Sequence, residues 1–134
     1  MKREWQPAVL RARPLATMDF VAIEEELAAR ARSADPEVAA LVEGARRWAA
    51  ACRALVPAVV ARVPVLLDEL RNTHGNEVAK ALVVHPAKPL LFASLKGRFE
   101  PRTVEAHCRS PRATLDLAKS VGSDTAALDL GPWV

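Results

Sequence analysis

Apolar positions along this 134-residue chain recur at spacings of three and four, the period of an α-helix, and almost nowhere at two. The clearest run is Val38, Leu41, Val42, Ala45, Trp48, Ala49, Cys52, Leu55 and Val56, with Glu43, Arg46, Arg47 and Arg53 largely off the stripe. It opens on Asp35-Pro36-Glu37: a capping side chain, a proline where a helix needs no N–H donor, and an acid that suits the positive end of the helix dipole. Trp48 and Cys52 are therefore read as packing residues. An earlier stripe, Phe20, Ile23, Leu27 and Ala31, predicts a helix beginning near Thr17 or Asp19. Glu24, Glu25 and Glu26 cannot all point the same way on that helix, so they read as a solvated face rather than a metal or acid–base cluster.

Proline and glycine then punctuate the chain. Pro57 is expected to open a new helix after a tight corner, and Pro64 to kink it. Leu66, Leu67 and Leu70 carry that helix to a stop at His74-Gly75, where Asn76 is expected to cap a further helix bearing Val78, Ala79, Leu82 and Val83. Ala87-Lys88-Pro89 reads as a short linker, followed by an apolar element, Leu90 to Leu95, that ends at Gly97. Helices are predicted from Pro101 to Arg109 and from Ser110-Pro111 to Gly122. Pro7 and Pro14 forbid a regular helix at the start. The expected architecture is all-α: an extended arm over residues 1–17, a compact bundle of five to six helices over 18–122, and a tail over 123–134.

Composition agrees with that reading. Hydrophobic residues make up 51%, mostly Ala, Val and Leu, against 4% aromatic and no tyrosine, a helical rather than a sheet-forming palette. Cys52 and Cys108 lie far apart without a CxxC pair, which points to a reducing cytoplasm rather than a disulfide framework. Charges interrupt every long apolar stretch, and the first residues lack a signal peptide's apolar run, so no membrane association is expected.

The charge pattern matters more than the net +3. Residues 1–17 sum to +3, 18–70 to −3, and 71–112 to +5. A cation belt of Arg71, Lys80, Lys88, Lys96, Arg98, Arg102, Arg109 and Arg112 would suit phosphates if it formed one face, with Phe99 as a stacking aid. Catalytic signatures are sparse: there is no Walker loop and no GxGxxG. His74, His85, His107 and Cys108 lack metal-ligand spacing, and Cys108 lacks an oriented base, so neither a metal, a cofactor nor a cysteine nucleophile is expected.

Two local resemblances touch the central stretch. Leu-Arg-Asn-Thr-His-Gly, residues 70–75, resembles the Arg-Asn and histidine signature of the HEPN superfamily of small helical ribonucleases, although arginine and histidine stand closer together here. That resemblance implies Arg71 stabilising a scissile phosphate, Asn72 supporting the corner and His74 as acid or base, without a metal. The bare residues read equally as a helix end. His85 to Arg98 is similar to a run in the helical C-terminal part of some phage-type RNA ligases, which implies at most a detached accessory region meeting RNA through Lys88, Lys96 and Arg98. The pattern as a whole favours a non-catalytic helical binding module that contacts RNA or single-stranded nucleic acid. The rivals are a HEPN-like ribonuclease and a protein-interaction or homo-oligomeric module docking through Trp5 to Leu15.

Overall fold

The computed structural model describes residues 15–32 and 35–128. Most of the expected arm, residues 1–14, and the end of the tail, 129–134, lie outside the described residues. Seven α-helical segments follow a short 3-10 turn at Leu15–Thr17. They are α1 (Phe20–Arg30), α2 (Pro36–Arg53), α3 (Val56–His74), α4 (Val78–Val83), α5 (Lys88–Leu95), α6 (Pro101–His107) and α7 (Pro111–Ser120). The segments from Pro36 to Val83 follow one another so closely that they make one broken run, leaving an all-α bundle of five helical bodies.

The starts are written in capping side chains. Asp19 accepts from the Val21 amide at 2.8 Å, Asp35 from Glu37 at 2.9 Å, and Ser110 from Ala113 at 3.1 Å. Each satisfies an amide that the first turn leaves without an intrahelical partner. The expected cap at Asn76 does not form. Residues Gly75–Glu77 make a 3-10 turn instead, and α4 begins at Val78 with no side-chain cap. The chain passes from α3 into α4 without opening the loop that a capping asparagine needs. The expected linker at Ala87-Lys88-Pro89 is also revised: Lys88 and Pro89 are the first turn of α5, where proline's missing donor is harmless, and Ala87 is buried.

The join between α2 and α3 organises the molecule. Pro57 has no N–H to offer the Arg53 carbonyl, so α2 stops at Arg53, and α3 restarts at Val56 with proline in its first turn. Backbone bonding scarcely lapses: Leu55 N donates to Cys52 O at 3.1 Å and Val59 N to Leu55 O at 3.0 Å. The result is a local break in one run, the elbow, rather than a hairpin, since α2 and α3 do not pack along one another. Pro64 sits on the exposed side inside α3.

Two apolar cores form, one on each arm of the elbow. The first joins Phe20, Ile23 and Leu27 of α1 to Val38, Val42, Ala45, Trp48 and Cys52 of α2. The second gathers Val59, Val63 and Leu67 of α3 with Leu82, Leu90, Leu91 and Val104. Leu55 packs against both. Helix α7 closes the gap, because Leu115 belongs to the first core while Ala118 and Val121, three and six residues on, belong to the second.

Three long-range bonds hold this arrangement. Phe20 N donates to Arg109 O at 2.9 Å, and Trp48 Nε1 donates to Leu128 O at 3.0 Å across 80 residues. Arg62 Nε donates to Val121 O at 2.7 Å while its two terminal nitrogens meet both Glu69 oxygens at 3.0 and 3.1 Å. The Glu69 hydrogen bond accordingly raises the Arg62 pKa and the Arg62 guanidinium lowers that of Glu69. Gly122 ends α7 with φ +83, and a Cβ there would come 3.1 Å from Arg62 Nη2.

Replacing Arg62 with methionine leaves the Val121 carbonyl unbonded and is expected to cost about 1 kcal/mol. Gly122→Ala, forced into left-handed backbone, is expected to cost about 1 kcal/mol. Each should lower Tm by about 4 °C in a thermal melt followed by circular dichroism; unchanged melting in both would show that the α3–α7 clasp is not a stabilising contact.

Candidate binding groove at the helix elbow

The cation belt does not arrive on the surface as eight open charges. Arg71 lies 3.9 Å from Asp68, Lys80 lies 3.1 Å from Glu77, and Arg102 lies 2.6 Å from Glu100. The other five, Lys88, Lys96, Arg98, Arg109 and Arg112, are exposed, and no acidic side chain among the described residues lies within ion-pair distance of them. They fall into two groups by element. Lys88, Lys96 and Arg98 mark the two ends of α5, about 12 Å apart by helical rise. Arg109 and Arg112 flank the start of α7. Lys96 lies over the ring of Phe92 at 5.9 Å.

Arg71, Asn72 and His74 occupy the last turn of α3, all three exposed. Gly75, with φ +56, ends the helix by donating its amide to Arg71 O. None of the three lines either of the hollows described next. Among the described residues, no three His, Cys, Asp or Glu side chains gather as metal ligands would.

What the fold does build is a groove where α1 crosses the elbow. Phe20, Ile23 and Leu27 of α1 face Ala49, Ala50 and Arg53 of α2, and Ala54 and Pro57 extend the wall through the elbow. Its volume is about 500 Å³, within the range of pockets that take small ligands or anchoring side chains. The lining is apolar, with charge confined to Glu24, Arg46 and Arg53. Arg53 is fixed by two partners, Glu24 at 3.5 Å and the face of Phe20 at 5.6 Å. A second hollow of about 420 Å³ shares Phe20, Arg53 and Pro57 and continues to Glu105, Cys108 and Arg109.

Sequence reasoning missed this groove because alanine occupies both faces of α2. Ala45 and Ala49 are buried while Ala50 and Ala54 are exposed, and a periodic stripe of larger residues is what reveals a core face. A usable signal existed in the crowding of apolar residues around Pro57 beyond what one face can bury. The run from Pro36 to Val83 is long and apolar enough, by length and composition alone, to cross a membrane, and only 22% of its apolar eighteen-residue window is buried. Arg53 and Arg62 are the charges that interrupt this stretch in the sequence.

Burial is the main cause of the pKa shifts of His85 and Cys108. Half-buried His85 has its pKa lowered by desolvation, and its Nδ1 accepts the Ala87 amide at 3.0 Å, a bond that only the unprotonated nitrogen can make. Burial raises the Cys108 thiol, with a smaller opposing effect from its hydrogen bond to Thr114. Cys108 is therefore the reverse of an activated nucleophile, for which the thiolate must be favoured.

Because the folded pKa of His85 lies below its unfolded value, its contribution to stability is present at neutral pH and is lost as pH falls through that folded pKa. His85→Gln should flatten the fall in Tm between pH 7.5 and 5; an unchanged slope would place the acid sensitivity elsewhere. Native protein should also react with a thiol reagent at least tenfold more slowly than urea-unfolded protein, since Cys52 and Cys108 are both buried. Compared with protein-family models, curated proteins and solved structures, the chain matches none.

Proposed function

We propose that this chain is a non-catalytic helical interaction module that holds an apolar protein segment in the groove between α1 and the α2–α3 elbow. The observation that carries the reading is the apolar lining of that groove, in which Phe20, Ile23 and Leu27 of α1 face Ala49, Ala50, Ala54 and Pro57. A concave apolar surface of this kind marks a place where something docks. The groove shape favours a protein segment over a lipid surface. It is concave, it is bordered by an arginine already engaged with Glu24, and α1 presents Glu24 and Glu25 to solvent, which repel anionic headgroups.

Binding of a synthetic leucine-lysine amphipathic peptide, followed by fluorescence anisotropy, should weaken at least tenfold in Ala54→Arg, whose exposed side chain can change without disturbing either core. Equal affinity in the variant would remove the groove as the site. Retention on phosphatidylcholine–phosphatidylglycerol vesicles, lost in the same variant, would replace the protein segment with a bilayer.

A second reading is favoured by one observation: among the described residues, five cations of the expected belt make no ion pair. Nucleic-acid contact through Lys88, Lys96, Arg98, Arg109 and Arg112 would be electrostatic, with affinity falling steeply as salt rises. Lys96→Glu with Arg98→Glu should then cut retention on single-stranded RNA by tenfold or more at 50 mM salt. Retention that ignores both salt and charge reversal disposes of this reading.

A further inference from the structure

The second hollow is lined by charges of both signs in equal number. Arg53 and Arg109 stand there with Asp19 and Glu105, beside the apolar surface of Phe20, Val56 and Pro57. Two of the four charges are already engaged: Asp19 accepts the Val21 amide at 2.8 Å, and Arg53 meets Glu24 at 3.5 Å. Glu105 and Arg109 are exposed and make no ion pair among the described residues, with each other or with any neighbour. From this arrangement we infer that the hollow binds a free α-amino acid with an apolar side chain, its ammonium at Glu105 and its carboxylate at Arg109. The site lies beyond the groove proposed above, whose lining includes neither residue.

The backbone fixes where the two charges stand. Glu105 is on α6, and Arg109 comes just before Ser110, the cap of α7. Phe20 N donates to Arg109 O at 2.9 Å, which ties Arg109 to the start of α1, and buried Cys108 anchors the chain between the two charged residues. Opposite charges that line one hollow without pairing suit a ligand that carries both signs on a single carbon.

The full set of charges selects the same class. A lone carboxylate gains Arg109 but is opposed by Asp19 and Glu105, and a lone amine gains Glu105 but is opposed by Arg53 and Arg109. A zwitterion meets a partner at each end, and the balanced lining neither attracts nor repels it as a whole. Phe20 and Pro57 also belong to the groove, so an apolar side chain rests on a wall that continues toward Ile23. The volume of about 420 Å³ is in the lower part of the range for small-molecule sites.

The test titrates L-leucine into the full chain by isothermal calorimetry, alongside two analogues that keep its side chain. Isocaproate lacks the ammonium and isopentylamine lacks the carboxylate; each should bind at least fivefold more weakly than leucine, and glycine, without a side chain, should also bind more weakly. Glu105→Gln should remove the advantage of leucine over isocaproate, and Arg109→Gln its advantage over isopentylamine, with the melting temperature of both variants unchanged. Equal affinity of the native chain for leucine and the two analogues would overturn the inference. So would leucine affinity that ignores both substitutions, or the absence of heat from leucine, methionine and phenylalanine at millimolar concentration.

Discussion

A single absent hydrogen bond governs this molecule. Proline at position 57 cannot donate to the Arg53 carbonyl, and the long helix that starts at Pro36 breaks there and restarts at Val56. Had the chain reversed at that point, α2 and α3 would have covered each other and made one core. It does not reverse, and Leu55 is shared by two separate apolar clusters. Everything else in the architecture answers the need to close a bent helix into a stable body.

Helix α7 supplies that closure. Its short amphipathic face divides between the cores, and Ser110 at its start and Gly122 at its end fix its length. Arg62 then ties its last turn to α3 through a backbone carbonyl, while the Phe20 amide reaches the Arg109 carbonyl just before α7. Closure from one side leaves the other side of the elbow open. Among the described residues the groove along α1 is left open, and its small side chains, Ala50 and Ala54, keep it concave.

The same geometry changes the meaning of the charges. A belt drawn along the chain suggests a field, but Asp68, Glu77 and Glu100 sit within helical or turn reach of three of its members. Exposed pairs of this kind contribute little to stability, yet each removes a cation from the set that a polyanion would meet unopposed. The acidic run on α1 is partly paired in the same way: Glu26 meets Arg30 and Glu24 meets Arg53, while Glu25 faces solvent. The groove thus has acidic side chains along α1 and the arginines Arg46 and Arg53 on its α2 wall.

Much of the fold was legible in the sequence, because helices announce themselves through local rules. Asp19, Asp35 and Ser110 cap where short polar side chains precede apolar periodicity, and Gly97 and Gly122 stop helices where only glycine takes left-handed backbone without strain. The stripe from Val38 to Cys52 became a core face as its spacing required. Asn76 and the Ala87–Pro89 segment were misread because a capping residue and a proline each suit two local structures, and the neighbouring helices decided between them. The groove and the ion pairing of the belt belonged to tertiary structure alone. Periodicity reports which positions share a face of one helix, but whether that face meets a partner depends on the angle at Pro57, and no spacing of apolar residues encodes an angle between helices.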